Sequence, residues 1–181
     1  MEDPVRLNGV LDSYYDSYRE HSSRMWAEKL GLDEFEEGDG DLVTDLTSNL
    51  QLTETDMTIF FRLLSTIDGT DLENLDPAFY DEGEIRSDEW NAWLTRWWDR
   101  VDGKPDRGAM LQANPKYVLR NWMAQLAIDA AEKGDYSVAM ELYEMLKNPY
   151  SEQSEHEEKW FSKRPEWARN RVGCSMLSCS S

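Results

Sequence analysis

Cysteine is nearly missing from this chain of 181 residues: Cys174 and Cys179 are the only two, and both lie close to its end. Two thiols so placed cannot staple a fold, and their scarcity fits a reducing compartment. Histidine is as scarce. His21 and His156 stand far apart, and neither has the spacing to cysteine that a zinc site requires. Long apolar runs are absent too. No stretch approaches the ~20 apolar residues that span a bilayer, and Met1-Glu2-Asp3-Pro4 lacks the basic and apolar regions of a signal peptide and is too acidic for a transit peptide. The ten glycines are scattered, with no GxGxxG or P-loop spacing, so no loop can bring clustered backbone N–H groups to a phosphate. There is no GxSxG elbow, and the many carboxylates single out no acid–base couple. Positive charge is the last shortage: 19 Lys and Arg face 37 Asp and Glu, a formal net charge of -18. Such a surface repels nucleic-acid backbones and anionic lipid, and lacks the local cations a nucleotide needs. The expectation is a soluble intracellular chain with neither nucleic acid nor membrane as partner.

What is present is helical patterning. The length suits one domain with a sizeable core. Val10, Leu11, Tyr14, Tyr15, Tyr18, Met25 and Trp26 recur at three- and four-residue steps, which predicts a helix over 4–30 that Gly31 closes. Glycines and acids from Asp33 to Asp41 read as a solvated loop. Helix follows over 42–66, first Leu42 to Leu50 and then a run through Ile59, Phe60, Leu63 and Leu64 capped by Thr53. Asp68 to Arg86 reads as a long connection with a short helical turn near Pro77 to Tyr80. Ser87 opens a helix over 87–101 whose Trp90, Trp93, Leu94, Trp97, Trp98 and Val101 form one wide buried stripe. Asn114-Pro115 supplies an N-cap and first-turn proline for a helix over 115–133, and Gly134-Asp135 leads into another over 136–147. Beyond Ser151 an extended tail, 151–181, wraps over the body through Trp160, Phe161 and Trp167. No alternating strand pattern stands out, so the fold class is all-α.

Several constellations invite chemistry. Glu37, Asp39 and Asp41 imitate the first ligand positions of a calcium loop, but Leu42 and Ser48 occupy the places of the required Gly and Glu. The tryptophan stripe could stack bases, yet its helical spacing and the chain's charge favour core packing. Ala131-Glu132-Lys133-Gly134-Asp135-Tyr136 resembles the turn of a tetratricopeptide helix pair, in one copy only. Cys174 and Cys179 are the candidate redox residues. The basic Lys163, Arg164, Arg169 and Arg171 upstream would favour thiolate, while the terminal carboxylate opposes it.

Asn114-Pro115-Lys116-Tyr117-Val118-Leu119-Arg120-Asn121-Trp122, then Ala124-Gln125, Ala127-Ile128, Ala130-Ala131-Glu132 and Gly134-Asp135, resemble the closing block of the selenoprotein O family, also called YdiU or UPF0061. Asn148-Pro149-Tyr150, Arg164-Pro165-Glu166-Trp167-Ala168 and Ser178-Cys179-Ser180-Ser181 follow in the family's order. The resemblance implies an atypical protein-kinase-like fold that uses ATP and magnesium to transfer AMP to hydroxyl side chains of proteins. It also implies that the catalytic lysine, metal ligands and phosphate-binding arginines lie in a preceding, missing N-terminal kinase-like domain, so this chain holds no catalytic, cofactor-binding or metal residue. One position carries over: Cys179 matches the family's terminal selenocysteine or cysteine, which implies a redox-sensitive bridge. Gly173-Cys174-Ser175-Met176-Leu177 and the single proline at Pro165 depart from the family pattern. The location implied is mitochondrial in eukaryotes and cytoplasmic in bacteria. The competing reading is a stand-alone helical interaction module built on the tetratricopeptide-like helix pair.

Overall fold

The computed structural model describes residues 4–80 and 87–174, with side chains from residue 13 onward. Nine α-helices follow one another among the described residues: α1 (Pro4–Leu30), α2 (Asp39–Leu52), α3 (Met57–Leu64), α4 (Ser87–Arg100), α5 (Arg107–Ala113), α6 (Asn121–Ala131), α7 (Ser137–Leu146), α8 (Ser154–Trp160) and α9 (Glu166–Arg169). A 3-10 turn, Leu72–Ala78, lies between α3 and α4. An isolated β-type bridge pairs Thr55 with Phe79. The all-α expectation holds.

Two apolar cores form. The larger is built on the tryptophan stripe of α4, where Trp90, Trp93, Leu94 and Trp97 are fully buried against Leu30, Leu42, Leu46, Phe60, Leu64, Leu75 and Phe79. Burying an indole requires a partner for its N–H. Trp90 donates to Thr53 Oγ1 at 3.1 Å, Trp93 to the Leu42 carbonyl at 2.8 Å and Trp97 to the Leu30 carbonyl at 2.9 Å. Trp93 and Trp90 thereby hold the start and the end of α2 against α4, and Trp97 holds the end of α1. Gly31 ends α1 at φ 68°, and a Cβ there would stand 2.7 Å from Met110 Sδ and 2.9 Å from Pro105 Cβ. Only glycine lets the chain turn there while the Asp106 N–H reaches the Gly31 carbonyl.

The smaller core joins α6 and α7 to the tail: Trp122, Met123, Leu142, Met145, Trp160 and Ala168 are buried together, with Tyr117 and Cys174. Phe161 packs against both cores. The tail is therefore not simply extended. It forms α8 and α9, because Trp160 is buried and gives its indole N–H to Glu141 at 2.8 Å, while Trp167 stays substantially exposed beneath Arg171.

Three boundaries differ from expectation for identifiable reasons. The helix anticipated over 115–133 begins only at Asn121. Asn114 ends α5 instead, and the Lys116 and Tyr117 N–H groups both donate to the Pro149 carbonyl at 2.8 and 3.1 Å, so they cannot serve a helical first turn. The helix anticipated over 42–66 is two, and Asp56 rather than Thr53 caps the second, accepting from Ile59 N at 3.1 Å. Thr53 closes α2 and receives Trp90. Acidic residues after Asp33 enter α2 from Asp39, since Asp39 is buried against Arg100, with contacts of 2.8 and 3.0 Å.

Candidate functional site

Between the two cores runs a seam of buried polar groups, and the polar residues that open the sequence signature lie along it. Asn114, 1% exposed, donates to the Lys29 carbonyl at 3.0 Å and to Ser65 Oγ at 3.2 Å, and its Oδ1 accepts from Lys29 Nζ at 2.8 Å. Arg62 of α3 is buried and fans across the junction, donating to the carbonyls of Leu111, Asn114 and Tyr150 and to the Glu152 carboxylate. Lys116 donates to Glu152 at 2.8 Å and pairs with Glu157 at 3.1 Å. Tyr117 gives its hydroxyl to the carbonyls of Glu152 and Gln153 at 2.8 and 2.9 Å.

A second knot lies alongside. Arg120 meets Asp56 at 2.7 Å, and the Tyr80 hydroxyl lies 3.3 Å from the same oxygen while receiving the Arg164 N–H at 2.9 Å. Arg164 and Arg169 both reach Glu54. The Arg120 Nη2, Arg164 Nε and Trp122 Nε1 groups are buried without a hydrogen-bond partner among the described residues.

The electrostatics of the seam are those of mutual compensation. Burial disfavours the Lys116 charge, but its bonds to Glu152 and Glu157 outweigh that and raise its pKa. Hydrogen bonding from Lys116, then from Arg62, holds the Glu152 carboxyl below its ordinary value in spite of partial burial. Burial raises Tyr80 and Tyr117 above the ordinary phenol. Arg62, Lys116, Arg120 and Arg164 each answer a carboxylate, which suits joining two cores, while Lys29 has the neutral Asn114 amide oxygen as its partner.

The two cysteines fare differently. Cys174 is buried in the smaller core as a free thiol, and its carbonyl accepts from Asn121 at 3.2 Å. Cys179 lies outside the described residues. The basic stretch upstream of them is spent on ion pairs: Arg171 forms two contacts with Asp129, at 2.9 and 2.8 Å, Arg164 and Arg169 bind Glu54, and Lys163 donates to the Phe79 carbonyl.

Two apolar faces remain open. On α1, Tyr14, Tyr15, Tyr18 and Met25 are exposed, and residues 13–21 touch solvent throughout, while only the last turns carry Ala27 and Leu30 into the core. Val10 and Leu11 have side chains outside the described set. At α7, the N-cap Tyr136 with Met140 and Tyr143 forms a second exposed stripe, and Ile128 of α6 is exposed as well. No group of three or more His, Cys, Asp or Glu side chains is arranged to hold a metal ion among the described residues. No helix among them is long and apolar enough to cross a membrane.

The geometry gives the sequence signature a structural meaning that comparison with known proteins matches. A family model described as "Protein adenylyltransferase SelO" covers residues 2–147. The chain belongs to the SelO family. Among its relatives, the "Protein nucleotidyltransferase YdiU" of Flavobacterium johnsoniae is 48% identical over 188 residues, covering 97% of this chain and 36% of the relative. The proteins of the same description from Aromatoleum aromaticum and Rhodopirellula baltica are 43% and 45% identical, covering 97% and 93% of this chain and 35% of each relative. The SelO-family chain thus spans about a third of the length of the curated relatives it matches.

Of the residues singled out from sequence, Asn114, Lys116, Tyr117, Arg120, Pro149, Tyr150 and Arg164 converge on the seam. Lys29, Asp56, Arg62 and Glu152 complete it and carried no sequence signal, because each belongs to an otherwise ordinary helical or loop pattern. A lone arginine within the apolar run Ile59 to Leu64 was the available hint to Arg62.

Proposed function

We propose that this chain is the helical C-terminal part of a longer protein adenylyltransferase. The complete protein would bind ATP and magnesium in an N-terminal kinase-like, pseudokinase-type domain and transfer AMP to Ser, Thr or Tyr hydroxyls of substrate proteins. The part described here contributes no catalytic residue; it buttresses that domain and carries a redox-active terminal cysteine, Cys179. Family membership supports the activity, and the chain's share of about a third of its relatives' length supports the division of labour. The single observation that carries the buttressing role is the open face of α1. Tyr14 and Tyr18 are each 62% exposed, and a helix that leaves residues 13–21 unpacked with an aromatic stripe gains its stability from another surface. Location in mitochondria for a eukaryotic source, or in cytoplasm for a bacterial one, belongs to the same reading.

The test is AMP transfer by the complete reading frame against that of this chain. With Mg–ATP labelled on its α-phosphate, the complete protein should mark protein hydroxyls and the chain alone should mark none. Labelling by the chain, or none by the complete protein, would overturn the proposal.

A second reading is a stand-alone helical interaction module. It draws on the α7 stripe of Tyr136, Met140 and Tyr143, which offers anchors at i, i+4 and i+7 for a partner helix. Light scattering separates the two. An exposed buttress helix drives self-association that Tyr14→Asp with Tyr18→Asp relieves, whereas the module is monodisperse and indifferent to those changes.

A further inference from the structure

Lys29 is chemically out of place. It leaves the last turn of α1 with its Nζ 3.9 Å from the centroid of the Phe61 ring and 2.8 Å from Asn114 Oδ1, and no carboxylate of the described residues is paired with it. The other cations drawn into the seam, Arg62, Lys116 and Arg120, each bind an acid. Acids are plentiful in this chain, yet none of the described ones stands against this ammonium. Lys29 also borders a cleft of about 170 Å³, open to solvent and walled by Met57, Thr58, Phe61, Pro115 and Val118, with Asn114 at its base. Apart from Lys29 no ionisable side chain lines it. The site therefore presents an amine held by one hydrogen bond at the edge of an apolar pocket.

We propose that Lys29 is a covalent acylation site for small activated acyl donors, acyl phosphates or acyl thioesters. The neutral amine attacks the acyl carbonyl carbon through its lone pair, forming a C–N bond. The bond from that carbon to the phosphate oxygen or thiol sulfur breaks, the leaving group departs with the electron pair, and one N–H proton passes to solvent. The product is a neutral Nε-acyl-lysine whose remaining N–H can still donate to Asn114 Oδ1, and whose acyl carbons lie in the apolar cleft. No oxidant or metal is consumed.

Burial without a compensating acid supports the chemistry by lowering the Lys29 pKa to about 8. At pH 8 about half of such a group is the free amine, against roughly 1 in 250 for a lysine of ordinary basicity near 10.4. The weaker base is intrinsically less nucleophilic, by about ten-fold if the dependence resembles that of thiolates. The net expectation is about a ten-fold lead at pH 8.

The test is residue-resolved mass spectrometry of the whole chain treated in separate arms with acetyl phosphate and with acetyl coenzyme A. The exposed Lys104 and Lys133 are the internal standards. Lys29 should lead both by about ten-fold in at least one arm, and the arm identifies the donor that fits the cleft. Its rate should level off above pH 8, and its lead should vanish in denatured chain. Labelling of Lys29 no faster than the two standards in either arm, or a lead that survives denaturation, overturns the proposal.

Discussion

Asp56 offers a direct measure of what the polar seam contributes. Its Oδ1 accepts from Ile59 N at 3.1 Å to cap α3, and its Oδ2 lies 2.7 Å from Arg120, with side-chain exposures of only 14% for Arg120 and 6% for Asp56. Asp56→Asn separates the two roles. Asparagine caps a helix as well as aspartate does, so the cap survives, while the charge facing Arg120 is lost. The guanidinium then keeps the Ser162 carbonyl, and its Nη2 already has no hydrogen-bond partner among the described residues. Removing one member of a buried pair costs about 3–5 kcal/mol; the residual exposure of Arg120 admits some water, so the expected loss is about 3 kcal/mol. Asp56→Ala also forfeits the cap and should lose about 1 kcal/mol more.

For a chain of this size each kcal/mol corresponds to roughly 2–4 °C of Tm, so Asp56→Asn should lower Tm by about 6–12 °C. Urea unfolding followed by tryptophan fluorescence gives the free energies directly, with an unchanged m-value marking an unchanged native surface. The decisive comparison is Asp56→Asn combined with Arg120→Met. With no charge left to strand, the double variant should recover most of the loss, a coupling of about 2 kcal/mol. A cost below about 1 kcal/mol for Asp56→Asn, or a double variant as unstable as the sum of the singles, would refute the view that this pair ties α3 to the segment before α6.

Acid should weaken the protein through the same seam. Lys116 and Arg62 hold the Glu152 carboxyl below 4.5, and at Glu141 burial is outweighed by bonds from Lys159 and Trp160. Depressed folded-state values mean that this stability is present above the ordinary carboxyl range and is lost as pH falls through the folded ones. Stability should therefore decline below about pH 4.5, and Glu152→Gln should flatten that decline in a pH series of urea midpoints. For the chain alone, titration calorimetry with Mg–ATP should give no saturable heat, since no cationic cradle is available among the described residues; saturable binding would contradict the proposed assignment of nucleotide chemistry to the rest of the protein. If the proposed redox role is right, Cys179→Ser in the complete protein should change its response to oxidant and leave its reduced activity intact, and an unchanged response would refute that role.

Much of the fold was legible because its elements obey local rules. Trp90, Trp93 and Trp97 fall at helical spacing and are buried on one face, and Gly31 and Gly134 stop helices as a left-handed residue should. What could not be read is what depends on distant partners. Asn114-Pro115 has the form of a helix start, but the Asn114 side chain is committed to Lys29 and Ser65, 85 and 49 residues away. Thr53 resembles a cap, yet Trp90 claims its hydroxyl. The α1 stripe was legible as a face but not as an open one, because periodicity says which residues lie together and is silent on what covers them. Among site residues, the signature marked one half of the seam, and the other half, Asp56, Arg62 and Glu152, came from segments with no distinguishing pattern.

The tail shows how these layers combine. Its Lys159, Lys163, Arg164, Arg169 and Arg171 bind Glu141, the Phe79 carbonyl, Glu54 and Asp129, a basic strap on an acidic body. Exposed pairs of this kind contribute about 0–1 kcal/mol each, so the buried Trp160 and Ala168 must supply most of the hold, and the ion pairs set the register. That register fixes Cys174 beside Asn121, five residues before Cys179. Five residues span at most about 17 Å. A disulfide joins Cα atoms about 6 Å apart, so a partner for Cys179 must have its Cα within about 23 Å of that of Cys174. Cys174 itself meets the distance but is buried, and would have to leave the smaller core to form the bond. On the proposed function, a redox bridge at Cys179 that leaves the smaller core intact needs a cysteine from outside this chain, since Cys174 is the one other cysteine here.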